Sequence, residues 1–308
     1  MNKTLRIILL IFIFILAAAA GIFGYKYIKE RKENARQKNY SECINIVTGD
    51  YSTEEKENLL VERFKDMPAE DCTDIIDVYI YGTYNYANNV DASLTEAEAD
   101  ALTSAITGDD NIDIEKITDE SIKTHFKELR EEHVVPRYVN ESLFMDCDYK
   151  YFSDTFGKYL LPDYKEMLDF FEEEKNKSYC KASESMLYTD VVENRLDKLY
   201  EIISKYPESM VMPVIQDSYR FYKSVYLGAY DQNYIFNNGS ILKYVYDAYS
   251  QYEPVDEELN EFLKTVLKSY KDNDLIRTID TFEKIKKFCE PEEETQKVDD
   301  SENIKEAK

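Results

Sequence analysis

Three groups of residues have the types and spacing that chemistry needs. The first is Asp109-Asp110-Asn111-Ile112-Asp113-Ile114-Glu115, running on to Glu120. Counted from Asp109, oxygen-bearing side chains fall at positions 1, 3, 5 and 12, as in a calcium loop. The sharp turn at position 6 asks for Gly, and Ile114 stands there. The segment therefore reads as an acidic loop, with Thr118 or Asp119 capping the helix that follows. The second group is His125, Glu128, Glu132 and His133, which holds both histidines of the chain. Eight residues apart on one helix, the two rings point roughly 80° apart, so both read as exposed helix histidines rather than as ligands of one metal. The third is Tyr219, Tyr222, Tyr226 and Tyr230, which share one helical face. Such a stripe is usually core edged with hydroxyls. No GxSxG, HExxH or P-loop occurs, and no catalytic residue, metal ligand or cofactor site is assigned.

The five cysteines, Cys43, Cys72, Cys147, Cys180 and Cys289, form no CxxC pair, which leaves zinc and thioredoxin-like sites without support. In an oxidising compartment they allow two disulfides and one leftover thiol. The alternative is five reduced sulfurs acting as small buried hydrophobes.

The elements that position these residues begin with an apolar segment. Leu5 to Phe23 carries a single charge, Arg6, and a helix of about 20 such residues crosses the hydrocarbon core. Residues 1–24 are expected to be an uncleaved signal-anchor, with Tyr25 and Tyr27 at the membrane boundary; cleavage near Ala17–Gly21 is the alternative. A short N-terminal tail before a single span resembles an export signal, so the body is expected outside the cytoplasm. That body is acidic: the whole chain has 62 Asp and Glu against 38 Lys and Arg, a formal charge of −24 that includes Lys3 and Arg6 before the body. A phosphate backbone needs Lys and Arg to replace its counterions, so nucleic-acid binding is excluded as an expectation.

Gly is scarce and strand-like alternation is hard to find, so the expected fold is all-α: a transmembrane helix followed by a helical-bundle body in one or two subdomains. Residues 25–48 read as a juxtamembrane helix ending at Val47, with Gly49 as a left-handed cap. Ser52 and Glu55 form a capping box, and Pro68 separates the helix it opens from Ala69–Asn85. Ser93–Thr107 and Thr118–Glu132 follow; Ile122, Phe126 and Leu129 make the buried face of the latter. Pro136 ends it, a Tyr-rich helix reaches Leu161, and Pro162 opens another. The charged run Glu172–Lys177 marks a boundary between residues 49–177, a helical domain of unknown role, and residues 178–289. The last helices are Asp256–Tyr270 and Asp274–Cys289, and the acidic tail 290–308 is expected to be disordered.

Within 178–289, Cys180-Lys-Ala-Ser-Glu-Ser-Met186 leads to Leu196-Asp197-Lys198-Leu199-Tyr200. Ile215-Gln-Asp-Ser-Tyr-Arg220-Phe-Tyr222 and Asn238-Gly239-Ser240-Ile241 follow. Over residues 180–270 these segments resemble the lysozyme inhibitor LprI-like family of small exported helical domains. The match covers under a third of the chain. The family's usual Trp is absent, and Cys180 alone is in range of its helix cysteines. The resemblance implies a non-catalytic domain that plugs an envelope enzyme, with Arg220, Tyr222 and Ser240 at the binding edge. Arg220 has a second reading, an ion pair with Asp217 that holds the hairpin together.

The expected function is therefore a membrane-anchored helical binding protein of the cell envelope, with a protein partner and no cofactor. A structural adaptor in an envelope assembly and an enzyme with an unrecognised site are the alternatives.

Overall fold

Side-chain caps open several helices of this protein in its computed structural model, which describes residues 29–108, 111–229 and 234–290. Residues 1–24, expected to span a membrane, lie outside the described residues, as does the tail beyond Glu290. Among the described residues, no helix is long and apolar enough to cross a membrane. The fold is largely helical, and the chain divides into two compact units between Asn176 and Lys177.

In the first unit, α1 (residues 29–48) is followed by α2 (Thr53–Phe64). The capping box is formed: the Ser52 hydroxyl accepts from Glu55 N, and the Glu55 carboxylate accepts from Ser52 N at 3.1 Å. Gly49 does not take the left-handed conformation expected of it. The next helix, α3 (Ala69–Ser93), runs two turns beyond its expected end because Ala87 and Val90 continue its buried face. A second capping box, Thr95 with Glu98, starts α4 (Glu96–Ser104), so this helix is shorter than the expected span. Asp119 caps α5 (Glu120–Glu131), whose Phe126 and Leu129 enter the core with Ile122 packed beside them.

The largest departure from the expected helices follows α5. Instead of a Tyr-rich helix, residues 134–147 form an antiparallel hairpin, β1 (Val134–Val139) with β2 (Ser142–Cys147). β-Branched Val134, Val135 and Val139 suit a strand, and Asn140 and Glu141 both take positive φ in the connecting turn, which twists as paired strands require. Pro136 is tolerated because its partner Met145 turns its own N–H away, to Asp91 Oδ1 at 2.9 Å. The chain then enters α6 (Tyr149–Phe156) and α7 (Pro162–Asn176). Pro162 stands at the first helical position, where a missing N–H costs nothing.

His133 is the second correction. It lies past the end of α5 with φ 59° and is buried, stacked on Tyr151 at 3.8 Å. Its Nε2 meets Glu57 Oε1 at 2.5 Å. Burial alone raises the Glu57 carboxyl, but the bonds from His133 and Tyr151 outweigh it and hold the group below its ordinary value. In return, burial and Glu57 push the Tyr151 hydroxyl up to about 12.

The second unit starts with a small hairpin, β3 (Cys180–Lys181) with β4 (Met186–Leu187), and continues in α8 (Thr189–Lys205) and α9 (Met212–Leu227). These two helices pack on each other as a helical hairpin. Gly228 ends α9 at φ +69°, and a Cβ there would meet Phe236 at 2.6 Å, so the turn needs glycine on both counts. A third hairpin, β5 (Phe236–Asn237) with β6 (Ser240–Ile241), turns through Asn238-Gly239, and α10 (Lys243–Gln251), α11 (Glu257–Asp272) and α12 (Ile279–Cys289) complete the unit.

Abundant tyrosine has a structural use throughout. Tyr164 donates to Asp77 at 2.8 Å, Tyr226 to Glu193 at 2.5 Å and Tyr252 to Asp197 at 2.8 Å. Each phenol buries a ring and satisfies a carboxylate with its tip, so an acidic chain can bring carboxylates against its core. The five cysteines follow the alternative of small hydrophobes: all are buried and free, and none forms a disulfide.

Candidate functional site

The side chains expected at the binding edge are separated by the fold. Arg220 and Tyr222 lie on different faces of α9, two residues apart. The Tyr222 ring is 1% exposed, and its hydroxyl accepts from Arg195 Nη1 at 2.9 Å. It offers no edge to a partner, because its place on the stripe with Tyr219 and Tyr226 turns it onto α8. Both of those neighbours are buried too, while Tyr230 lies outside the described residues.

Ser240 is held by backbone pairing. It bridges to Ile276, while its neighbours take Arg277 N on Gly239 O and Leu275 O on Ile241 N, each at 2.9 Å. The Gly239–Ile241 segment thus anchors the 275–277 turn rather than presenting a free loop. Arg220 is partly exposed and makes the ion pair with Asp217, the second reading of its role.

Arg220 nonetheless reaches a place of interest. Parts of α8, α9, α11 and α12 surround a groove of about 1280 Å³. Four cations line it, Arg220, Lys223, Lys284 and Lys287, with Asp256, Glu257, Glu258 and Glu290 on the remaining rim. Its apolar wall is Phe262 stacked on Phe288 at 3.9 Å between centroids and 8° between planes. The Lys223 ammonium stands 4.4 Å from the Phe288 centroid and 5.7 Å from that of Tyr219. At this distance the ring face attracts the cation and holds it over the groove.

The α11 end of the groove is set by one carboxylate. Asp256 Oδ1 accepts Glu258 N at 2.8 Å and caps α11, while Oδ2 accepts the Tyr219 hydroxyl at 2.5 Å. Burial, then that hydrogen bond and the Asp256 charge, raise the Tyr219 hydroxyl far above the ordinary phenol value, so it stays a donor. Lys284 is paired with Asp280 at 2.7 Å on the exposed side of α12. No histidine or cysteine lines the groove. Cations beside aromatic faces suit the capture of carboxylates and flat polar groups; they do not supply a nucleophile with its base.

Of this groove the sequence showed Arg220 and Tyr219. Lys284, Lys287 and Phe288 were readable as one face of α12, but nothing local says that this face meets Lys223. Elsewhere, Asp109 and Asp110 of the calcium-like segment lie outside the described residues. Asp113 caps a short 3-10 turn by accepting Glu115 N at 3.2 Å. Among the described residues no group of acidic, histidine and cysteine side chains could hold a metal.

No family model matches this chain, and neither curated proteins nor solved structures give a match.

Proposed function

We propose that the chain is a membrane-anchored, non-catalytic helical binding protein of the cell envelope, and that its groove in residues 177–290 takes carboxylates of a partner enzyme of the lysozyme-like class. The observation that carries this reading is the groove itself, with Arg220, Lys223, Lys284 and Lys287 around a stacked aromatic wall in a chain of formal charge −24. Glycosidases of this class work through a carboxylate pair in a saccharide cleft, and a cation inserted there blocks it without chemistry. The resemblance of residues 180–270 to the LprI-like domains supports the same partner. The apolar segment Leu5–Phe23 supports an anchor, with the body on the outer side.

The test uses the full chain purified in detergent. It is expected to bind and inhibit a muramidase, and Arg220→Ala and Lys287→Ala are each expected to weaken binding about tenfold, the effect of losing one charge-assisted hydrogen bond. Melting temperature should barely move, since exposed truncations usually cost under about 0.5 kcal/mol. Unchanged affinity in both variants would remove the groove from the interface, and absence of muramidase binding would remove the partner class. In cell fractionation the full-length chain is expected in the membrane pellet. A mature product starting near Ala20 would overturn the uncleaved anchor.

A further inference from the structure

The groove of the second unit is also the place from which the chain leaves the described residues. Helix α12 ends at Cys289, and Glu290, which lines the groove, takes extended φ −65° and ψ 145°. Pro291 is the reason, because its ring disfavours helical backbone in the residue before it. Glu292-Glu293-Glu294 follow at once, and Lys297 is the first cation beyond them.

Two of the four groove cations are already committed, Arg220 to Asp217 and Lys284 to Asp280. Lys223 and Lys287 form no ion pair among the described residues. Both stand close to the exit of the chain. Lys287 lies in the last turn of α12, and the Lys223 ammonium is 4.4 Å from the Phe288 centroid. Extended chain covers about 3.3–3.6 Å per residue, so Glu292–Glu294 fall within about 14 Å of Glu290 and reach both ammonium groups. On the opposite rim Asp256 is spent on Tyr219 and on Glu258 N. Glu257 and Glu258 are exposed and form no ion pair among the described residues. The groove thus offers free cations first and free carboxylates beyond them, the reverse of the charge order along residues 292–297.

We infer that residues 292–297 of this chain fold back into the groove, with Glu292–Glu294 on Lys223 and Lys287 and with Lys297 on Glu257 and Glu258. The inference rests on the reading of this groove as an acceptor of carboxylates. A segment tethered at the rim acts at about millimolar effective concentration, so exposed ion pairs suffice to fill the groove part of the time. An incoming carboxylate then binds only the open fraction, and its apparent affinity falls in that proportion. The chain carries its own competitor.

Zero-length carbodiimide crosslinking of the full-length protein in detergent at low ionic strength, read by mass spectrometry, tests the contact. Lys223 is expected to be joined to Glu292, Glu293 or Glu294 of the same molecule, and about 1 M salt is expected to abolish the link. The triple variant Glu292→Gln, Glu293→Gln, Glu294→Gln is expected to bind penta-glutamate about threefold more tightly than the native chain. Absence of the Lys223 link, or a yield that salt does not change, overturns the inference. Links formed only between two molecules assign the groove to a second copy and overturn it too. Equal penta-glutamate affinity in both proteins removes the tail and leaves the groove as a carboxylate acceptor. No penta-glutamate binding by the triple variant removes the acceptor reading itself, and with it this inference.

Discussion

Arg195→Met is expected to destabilise the second unit by about 2–3 kcal/mol, because it strands buried acceptors rather than deleting a surface charge. Arg195 is 1% exposed and lies among α8, α9 and the start of the unit. Its Nη1 donates to the Tyr222 hydroxyl at 2.9 Å and its Nη2 to the Lys177 carbonyl. Its guanidinium carbon is 5.0 Å from the Tyr222 centroid and 6.0 Å from that of Tyr179. Methionine keeps much of the volume and none of the donors. The measurement is denaturant unfolding of the full chain, with hydrogen exchange in α8 and α9 reporting on this unit. Adding Tyr222→Phe removes the hydroxyl that Arg195 bonds, so the losses of the two single variants should not add. A loss under about 0.5 kcal/mol in the single variant would mean that Arg195 is dispensable to the core.

Arg137→Met is expected to cost the first unit about 3 kcal/mol near neutral pH, the effect of leaving a buried carboxylate without its cation. Glu172 keeps 15% of its side-chain surface, and Arg137 keeps 9%. In the native protein burial raises the Glu172 carboxyl. Arg137 and the bonds from Asn176 and Lys150 N outweigh that and hold it below its ordinary value of 4.5. A carboxyl depressed in the folded state stabilises above its ordinary value, and that contribution is lost as the pH falls through the folded value. In the variant burial is no longer outweighed, so the same carboxyl moves up and is protonated earlier. The deficit between variant and native protein should then be largest at neutral pH and shrink below about pH 4.5. Thermal melts across that range decide it: a deficit that does not change with pH would mean that Glu172 is not the stranded group.

The two arginines also show where reading along the chain stops. The sequence marks neither as a structural centre, since Arg137 lies in a segment that reads as helical and Arg195 sits within an ordinary amphipathic helix. Burial of a long cation depends on which acceptors the rest of the chain brings to it. Arg220, by contrast, stands out in the sequence, and its i,i+3 partner Asp217 is legible because both lie on one helix.

Helix starts were legible for the same reason. Ser52 with Glu55, Asp119 and Pro162 act within one turn of themselves, so the order of residues suffices to place them. The buried face of α5, with Phe126 and Leu129, followed from periodicity, which is also local. The β1–β2 hairpin was missed because its turn is Asn140-Glu141 without glycine, and because a proline and tyrosines obscure the alternation. Its strands are settled by contact with α3 and α7, far away in sequence. The fate of His133, the burial of Tyr222 and the meeting of Lys223 with Phe288 belong to the same class. Each depends on partners dozens of residues distant, and an isolated segment carries no record of them. Local order thus determined a largely helical, acidic, tyrosine-rich chain with its caps in place. Tertiary packing decided which charges are buried, which tyrosines are sealed and which cations meet an aromatic face.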